Sequence, residues 1–287
     1  MKLYGVIGDP IAHSLSPVMQ GRAFDEMGIK AHYHPFHIKG QDLEIAIKGM
    51  KAIGVEGFNV TIPHKTAVIP FLDSIDPLAK AIGAVNTVIR ENNRWIGYNT
   101  DGEGFTEALQ AEWKENLQDE QVLMIGAGGA AKAVFYTLLS KGIHHIDICN
   151  RTMERAKKLI KDCPYKGHST ALTLTEAEEK LSQYSLIIQT TSIGMYPEVS
   201  QSPLSLEQLN PNAFVSDIIY NPFETTFLKA AKKRGAKTQN GLGMFVYQGA
   251  LAFEKWTGQS PNIQRMTETV MEQLGGNVCL PENKNAF

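Results

Sequence analysis

The sequence has few cysteines and no long apolar run. Cys149, Cys163 and Cys279 are odd in number, far apart and free of any CxxC spacing. They therefore predict neither a disulfide framework nor a zinc site. The N-terminal segment "MKLYGVIGDP" has neither the apolar length of a signal peptide nor that of a membrane span. We expect a cytoplasmic protein with no membrane partner.

An excess of charge of one sign is also missing. The 28 basic and 30 acidic residues are mixed along the chain and give a formal charge of −2, so we expect no nucleic-acid partner. With 43% hydrophobic and 20% charged residues, the composition is that of an ordinary globular protein. A length of 287 residues suits two domains.

Short apolar strands alternate with helix-like segments, which is typical of α/β proteins with largely parallel sheets. We predict a first α/β domain with a mostly parallel sheet at residues 1–102 and a second βαβ domain at residues 103–240. The helical segments within 241–287 need an apolar surface to cover, so we expect them to complete the first domain. Locally, "AHYHPFHI" predicts a strand broken at Pro35, and "AVNTVIRENNRWIGYNT" predicts a hairpin with its turn at "ENN".

The segment "VLMIGAGGAAKAVFYTL" carries the strongest local signal. Gly126, Gly128 and Ala131 form a G-x-G-x-x-A pattern directly after an apolar strand and before a helix. The first glycine permits a tight turn, the second lets the backbone approach a pyrophosphate, and the alanine keeps helix and strand close. Free N–H groups at the helix start suit the anion. The pattern predicts a Rossmann-like dinucleotide-binding domain.

The next strand ends in "DICNRTMERAKKL", which indicates the choice of dinucleotide. NAD enzymes place an acid here for the ribose 2′-hydroxyl, but this chain has Arg151, and Arg155 lies one helical turn further along. Two guanidinium groups on one face suit a 2′-phosphate, so we predict NADP. In the alternative, a solvated helix start, Arg155 would pair with Glu154 or Glu178. Asp147 is the nearby acid, but it lies inside the strand.

In the first domain, "NVTIPHK" ends a strand in an unusual set of side chains. We expect Val60 and Ile62 to form its buried face, whereas Asn59 and Thr61 point to the opposite face. A proline then stops the strand, and Lys65 follows. The simplest alternative is a half-buried edge strand with a surface lysine, because lysine is mostly exposed.

Other polar side chains occur where strands of this domain meet loops. Ser14 and Ser16 alternate in "HSLSP", Asn86 lies in "GAVNT", and Asp101 closes "GYNTDG". Together with Lys65 they are the donors, amides and ionisable pair expected around a small polyhydroxylated acid. Two alternatives stay open: Asp101 would be the N-cap of the helix "DGEGFTEAL", and Ser14 would cap the helix that starts near Ser16.

Many dehydrogenases use histidine as their acid, and His13 and His64 lie near these loops. Neither has a recognisable acid partner in the sequence, so we predict neither to be essential. His32, His34 and His37 could suggest a metal site, but a proline interrupts their alternation and no carboxylate accompanies them. No metal is predicted.

Seven segments occur in order across nearly the whole chain: "SLSP", "NVTIPHK", "GAVNT", "YNTDG", "GAGGAAKA", "NRT" and "GLGMFVYQGALAFEKWTG". Together they resemble the shikimate dehydrogenase family. The resemblance implies reversible reduction of 3-dehydroshikimate to shikimate with NADPH, in aromatic amino-acid biosynthesis. It also implies Lys65 and Asp101 as the catalytic pair, and we expect Asp101 chiefly to hold the lysine ammonium in place.

The resemblance further implies which residues bind the two ligands. The substrate-binding residues are Ser14, Ser16, Thr61, Asn86, Tyr220 and Gln248, to which the strand pattern adds Asn59. The cofactor-binding residues are Gly126, Ala127, Gly128, Gly129, Ala130, Asn150, Arg151, Thr152, Arg155, Ile218 and Gly241. One segment, "QTTSIGM", departs from the family, which commonly has Asn at the position of Gln189. We expect no change of function from it.

Several alternatives remain open. An enzyme of the same fold could use quinate or NAD, a ligand-sensing paralogue could have lost catalysis, or a paralogue could act on another small hydroxy acid. Retention of Lys65 and Asp101 argues against a sensor, and Arg151 argues against NAD. We expect a monomer or homodimer that closes on its cofactor, with hinges near Thr100–Gly102 and Gly241–Gly243.

Overall fold

The structure is a computed structural model that describes residues 1–113 and 116–275. Cys279 and the end of the 241–287 segment lie outside these residues. Within them the strands are β1 (Lys2–Gly8), β2 (Ala31–His37), β3 (Val55–Val60), β4 (Ser74–Ile75), β5 (Thr87–Glu91), β6 (Arg94–Tyr98), β7 (Val122–Ile125), β8 (Ile146–Cys149), β9 (Ala171–Leu172), β10 (Leu186–Gln189), β11 (Phe214–Asp217) and β12 (Lys237–Gln239). The helices are α1 (Ser16–Glu26), α2 (Leu43–Ala52), α3 (His64–Ala67), α4 (Pro77–Ile82), α5 (Asp101–Glu112), α6 (Gly129–Ser140), α7 (Met153–Lys161), α8 (Leu174–Glu179), α9 (Thr226–Lys233), α10 (Leu242–Thr257) and α11 (Ile263–Gln273). None of these helices has the length and apolarity needed to cross a bilayer.

The first sheet has the strand order β2-β1-β3-β5-β6-β4. β1 pairs in parallel with β2 and β3, and β4 with β6, whereas β5 runs antiparallel to β3 and β6. The β5–β6 hairpin confirms the prediction, and its turn residues Asn92 and Asn93 have φ angles of 49° and 62°. Asparagine tolerates this left-handed region better than most residues, which is why "ENN" makes the turn.

Two local predictions in this sheet are wrong. Pro35 does not break β2, which pairs with β1 along its whole length and places Val6 opposite Pro35. β2 is an edge strand, where a missing N–H needs no partner. Ile62 is 73% exposed rather than buried, because β3 ends at Val60 and the alternation of a strand ends with it.

The second sheet is entirely parallel, in the order β12-β11-β10-β7-β8-β9. The strands run outward in both directions from the β7–β10 pair, which is the doubly wound order of dinucleotide-binding domains. In such sheets a ligand binds outside the carboxyl ends of the strands where the order reverses. The glycine motif follows β7 at this point, so the predicted Rossmann-like fold is confirmed.

The last two helices pack on the first sheet. One apolar cluster joins Tyr4 of β1 to Phe253 of α10 and Met266 of α11. α5 contacts both α10 and α6, and it thereby connects the two halves of the molecule. The limits of 1–102 and 103–240 for the two domains stay a prediction.

Candidate active site

Lys65 and Asp101 come together in the structure. The Nζ of Lys65 lies 2.6 Å from the Oδ2 of Asp101, although the two residues are 36 positions apart. Lys65 lies on α3, just after β3, and Asp101 is the first residue of α5, just after β6. Asp101 is not the N-cap of α5, because that position belongs to Thr100. The carboxylate faces Lys65 instead, and the pair is partly buried, with side chains 31% and 14% exposed.

Asn86 holds the carboxylate of Asp101 from another side. Its Nδ2 donates to the Oδ1 of Asp101 at 2.8 Å, and its Oδ1 accepts from the backbone N–H of Thr100 at 2.8 Å. A backbone N–H can only donate, so the orientation of this amide is fixed and Asp101 receives an N–H group. The hydroxyl of Thr100 donates to the carbonyl of Gln248 at 3.0 Å, which connects these groups to α10.

Asn59 is braced from inside the protein. Its Oδ1 accepts from the hydroxyl of Tyr33 at 2.8 Å, and its Nδ2 donates to the carbonyl of Asn86 and to the hydroxyl of Thr87, both at 3.1 Å. Both amide hydrogens are therefore used, and only an oxygen lone pair is left for a ligand. Burial raises the pKa of Tyr33 well above its usual range, partly offset by a hydrogen bond with Ser16. Tyr33 thus contacts two predicted substrate-binding residues, Asn59 and Ser16.

A cavity of about 380 Å³ is lined by Lys65, Asp101, Asn86 and Asn59. Its wall includes every residue that we predict as catalytic or substrate-binding: Lys65, Asp101, Ser14, Ser16, Asn59, Thr61, Asn86, Tyr220 and Gln248. It also includes Ile218 and Gly241, which we predict as cofactor-binding. The sequence reasoning missed two neighbours on α10, Met244 and Phe245, although their helical spacing from Gly241 and Gln248 would have indicated one shared face.

The capping role left open for Ser14 is partly realised. Its Oγ accepts from the backbone N–H of Ser16 at 3.3 Å, while Leu15 occupies the N-cap position of α1. Both serines line the cavity, so this contact does not exclude ligand binding.

The histidines near the predicted site lie in different environments. His64 is buried, with Nε2 at 2.6 Å from the carbonyl of Ile38, so it is held by the fold. His13 lies in the cavity wall. His37 pairs with Asp9 at 2.7 Å. Among residues 1–113 and 116–275, no group of three His, Cys, Asp or Glu side chains could hold a metal ion.

A second cavity, of about 430 Å³, lies at the carboxyl ends of β7 and β8. Seven predicted cofactor-binding residues line it: Gly126, Ala127, Gly128, Asn150, Arg151, Thr152 and Arg155. Gly126 has φ of +113°, and a Cβ there would lie 2.6 Å from the Oγ1 of Thr190, so only glycine fits. Gly128 precedes α6 with no atom within 4 Å of where its Cβ would be. Gly129 and Ala130 form the first turn of α6, whose N–H groups are free for an anion.

The two arginines of this cavity are available for a phosphate. Arg151 and Arg155 are exposed, and neither forms an ion pair with any described residue. The alternative pairing is not found: Glu154 pairs with Lys157 at 2.8 Å, and Glu178 accepts from a backbone N–H elsewhere. The donor set therefore fits the 2′-phosphate of NADP.

Asp147 is turned to other partners. Its Oδ2 accepts from the hydroxyl of Tyr184 and its Oδ1 from the N–H of Thr170, both at 2.8 Å. It is absent from the wall of the cofactor cavity. At the position where NAD enzymes carry an acid, this chain therefore has Arg151 instead.

The loop after β10, in the segment "QTTSIGM", is a further part of the cofactor cavity, although none of its residues is among the predicted cofactor-binding residues. Thr190 to Ile193 line it, and the buried amide of Gln189 holds this loop by donating to the carbonyls of Thr191 and Ile193 at 3.2 and 3.1 Å. The carbonyl of Gln189 accepts from the N–H of Ile218 at 3.1 Å. The two cavities therefore adjoin at this point.

A cavity at a glycine motif with two arginines that pair with no described residue, next to a cavity lined by a lysine–aspartate pair, fits an NADP-dependent oxidoreductase. Comparison with known proteins narrows this class. Family models match residues 6–88 (shikimate dehydrogenase substrate binding domain), residues 108–208 (shikimate / quinate 5-dehydrogenase) and residues 241–271 (shikimate 5′-dehydrogenase C-terminal domain). The chain belongs to the shikimate dehydrogenase family, as its motifs predict.

Individual proteins agree with this assignment. Shikimate dehydrogenase (NADP(+)) of Bacillus cereus strain AH187 is 55% identical over 275 residues, 96% of this chain and 99% of that protein. Shikimate 5-dehydrogenase of Thermus thermophilus, crystallised with NADP(H) and shikimate, is 35% identical with a TM-score of 0.85, covering 95% of this chain and 99% of that one. Quinate dehydrogenase of Corynebacterium glutamicum, crystallised with NAD, is 29% identical with a TM-score of 0.88, covering 94% and 99%.

Proposed function

We propose that this protein is an NADP-dependent shikimate dehydrogenase. It reduces 3-dehydroshikimate to shikimate reversibly with NADPH, as a step of aromatic amino-acid biosynthesis. The observation that carries the proposal is the 2.6 Å contact between Lys65 and Asp101 in the wall of a cavity that adjoins the cofactor cavity. Membership of the family supports the same reaction.

Lys65 is the acid and base of the reaction. When bound, NADPH supplies the hydride to the ketone carbon. The ammonium of Lys65 stabilises the negative charge that develops on the ketone oxygen and donates a proton to it. In the reverse direction the neutral amine accepts that proton. Asp101 holds Nζ in place, and Asn86 holds Asp101.

The substrate is held by neutral groups around this pair. The hydroxyls of Ser14 and Ser16 suit the carboxylate, while Thr61, Tyr220 and Gln248 suit the ring hydroxyls. Asn59 acts mainly as a brace, because both of its amide hydrogens are used within the protein.

The cofactor is held by the second cavity. The N–H groups at the start of α6, after Gly128, bind the pyrophosphate. Arg151 and Arg155 bind the 2′-phosphate, with Asn150 shaping their turn through a 2.8 Å hydrogen bond to the carbonyl of Thr152. Other cofactor contacts of the proposal come from Ala127, Gly129, Ala130, Ile218 and Gly241.

Two alternatives are less well supported. Use of quinate with NAD would fit the structural likeness to quinate dehydrogenase, but the free arginine pair suits NADP. A ligand-sensing paralogue would not need both Lys65 and Asp101. We also propose a cytoplasmic location and a monomeric or homodimeric state. The mixed charge of −2 favours the absence of nucleic-acid partners.

Activity assays with the purified protein test the proposal. We expect oxidation of NADPH when 3-dehydroshikimate is added, and reduction of NADP when shikimate is added. Parallel assays use NADH, and quinate with each oxidised cofactor. A larger kcat/KM for quinate than for shikimate, or for NAD than for NADP, would overturn the assignment of substrate or cofactor respectively.

A further inference from the structure

Asp217, the last residue of β11, is buried with no cation beside it. Its exposed fraction is 1%, and it is the only buried carboxylate among the described residues. No described residue forms an ion pair with it. Burial of a carboxylate without a cation is costly, and such groups occur most often where function requires them.

The two oxygens of Asp217 have different partners. Oδ2 accepts from the hydroxyl of Thr225 at 2.8 Å, and the oxygen of this hydroxyl in turn accepts from the N–H of Leu228 as the N-cap of α9. Oδ1 accepts from the backbone N–H of Ile219 at 2.9 Å. One oxygen therefore serves the start of α9, and the other serves the turn that follows β11.

This turn lies in the wall of the substrate cavity and is hydrogen-bonded to Gln189, the residue before the loop that lines the cofactor cavity. Ile219 is buried, whereas Ile218 and Tyr220 lie in the cavity wall on either side of it. The N–H of Ile218 donates to the carbonyl of Gln189, which precedes the loop at residues 190–193, at 3.1 Å. The carbonyl of Ile219 accepts from the N–H of Gly241 at the start of α10, at 2.9 Å. A side chain that fixes this turn therefore affects the positions of residues in the substrate cavity and beside the cofactor cavity.

We propose that Asp217 is a positioning residue. Through the Ile219 N–H, its Oδ1 fixes the turn that presents Ile218 to the cofactor and Tyr220 to the substrate. Asp217 itself lies in the wall of neither cavity, so it acts only through these neighbours. This inference rests on the proposed function of the two cavities. Loss of the Ile219 hydrogen bond releases both neighbours at once, so affinity for both ligands falls together.

Three variants separate the two oxygens. Asp217→Ala removes the acceptor of Ile219, and we expect the KM values for NADPH and for 3-dehydroshikimate each to rise about 5- to 30-fold, since a buried donor loses its partner. Asp217→Asn keeps an oxygen that accepts from the N–H of Ile219. Both of its KM values should therefore stay within about threefold of those of the wild type. Thr225→Val removes the other partner and the cap of α9, and should lower the free energy of unfolding with both KM values unchanged.

The pattern of KM changes decides the outcome. A purely structural role would reduce the amount of folded enzyme, and so the maximal rate, in Asp217→Ala and Thr225→Val alike, with no change in either KM; that result overturns the proposal. If Asp217→Ala does not fold, the double variant Asp217→Val/Thr225→Val replaces it, because it leaves no unpaired hydroxyl, and the same rise in both KM values is expected.

Binding of NADPH alone, followed by titration calorimetry, gives a readout that does not require turnover. The proposal predicts a raised Kd for NADPH in Asp217→Ala and an unchanged Kd in Thr225→Val. An inactive wild-type protein would refute the proposed function, whereas an unchanged Kd in Asp217→Ala would refute the positioning role alone.

Discussion

Gly102 of α5 lies directly against Thr137 of α6. A methyl group at Gly102 would collide with the hydroxyl of Thr137 and with the carbonyl of Ala133. Gly102 follows Asp101 in the chain, and α6 begins at the glycine motif of the cofactor cavity. The contact therefore joins the carboxylate that holds Lys65 to the helix that we propose to bind the pyrophosphate.

Gly102→Ala should weaken both stability and catalysis. The backbone carbonyl of Ala133 cannot rotate away, so we expect overpacking to lower the free energy of unfolding by about 1–3 kcal/mol. Displacement of Asp101 should lower kcat as well. Urea unfolding and steady-state kinetics measure the two effects. The matched control is Gly49→Ala in α2, where no atom lies within 4 Å of the new methyl group and stability should rise by about 0.5–1 kcal/mol. Equal effects of the two substitutions would contradict the close contact.

Arg151→Ala and Arg155→Ala should each weaken the binding of NADPH without weakening the binding of NADH. Each removes a charged donor for the 2′-phosphate, a contact worth about 1.5–3 kcal/mol, so the KM for NADPH should rise at least about tenfold. The KM for NADH, which has no such phosphate, should stay the same. Arg265→Ala, which removes an exposed arginine paired with Glu268, is the control. A parallel rise for NADH would show that the arginines shape the loop and do not read the phosphate.

Asp217 should make stability depend on pH. Burial raises the pKa of Asp217 from 3.8 to about 6, so between these values the folded state holds the proton more tightly than the unfolded state. The free energy of unfolding should therefore fall as the pH rises through this range. At about 1.4 kcal/mol for each pKa unit, the loss approaches 3 kcal/mol above pH 6.

Asp217→Asn has no proton to lose at this position. It should therefore be more stable than the wild type at about pH 8 by up to about 3 kcal/mol, and the difference should shrink towards about pH 4. Urea unfolding of both proteins in the same buffers measures it. A difference that grows as the pH falls would have the wrong sign for a carboxylate whose pKa is raised.

Much of the fold was accessible from the sequence because the signals are local. The glycine pattern, the adjoining strand and the following helix occupy one continuous segment, and the "ENN" turn depends on residues that tolerate positive φ. The effect of Pro35 on its strand and the exposure of Ile62 were harder to predict, because they depend on where a strand lies in the sheet and where it ends. The alternation of apolar and polar side chains indicates neither property.

The site was accessible in part for the same reason. The motifs bring Lys65 and Asp101 to notice, but the roles of the site residues stay predictions. The bracing of Asn59 by Tyr33 depends on how β2 and β3 flank β1, which no local pattern contains. Asp217 was missed likewise, because its burial results from tertiary packing around β11, which includes α9.

The most direct measurement is the kcat of Lys65→Ala for reduction of 3-dehydroshikimate by NADPH. We expect a loss of about 10²- to 10⁴-fold, which is the range that general acid–base catalysis supplies, with KM little changed. Lys51→Ala is the matched control, since this lysine is 32% exposed and also pairs with an aspartate, Asp73, in the same domain; it should retain wild-type turnover. Wild-type turnover in Lys65→Ala would contradict the assignment of Lys65 as the proton donor.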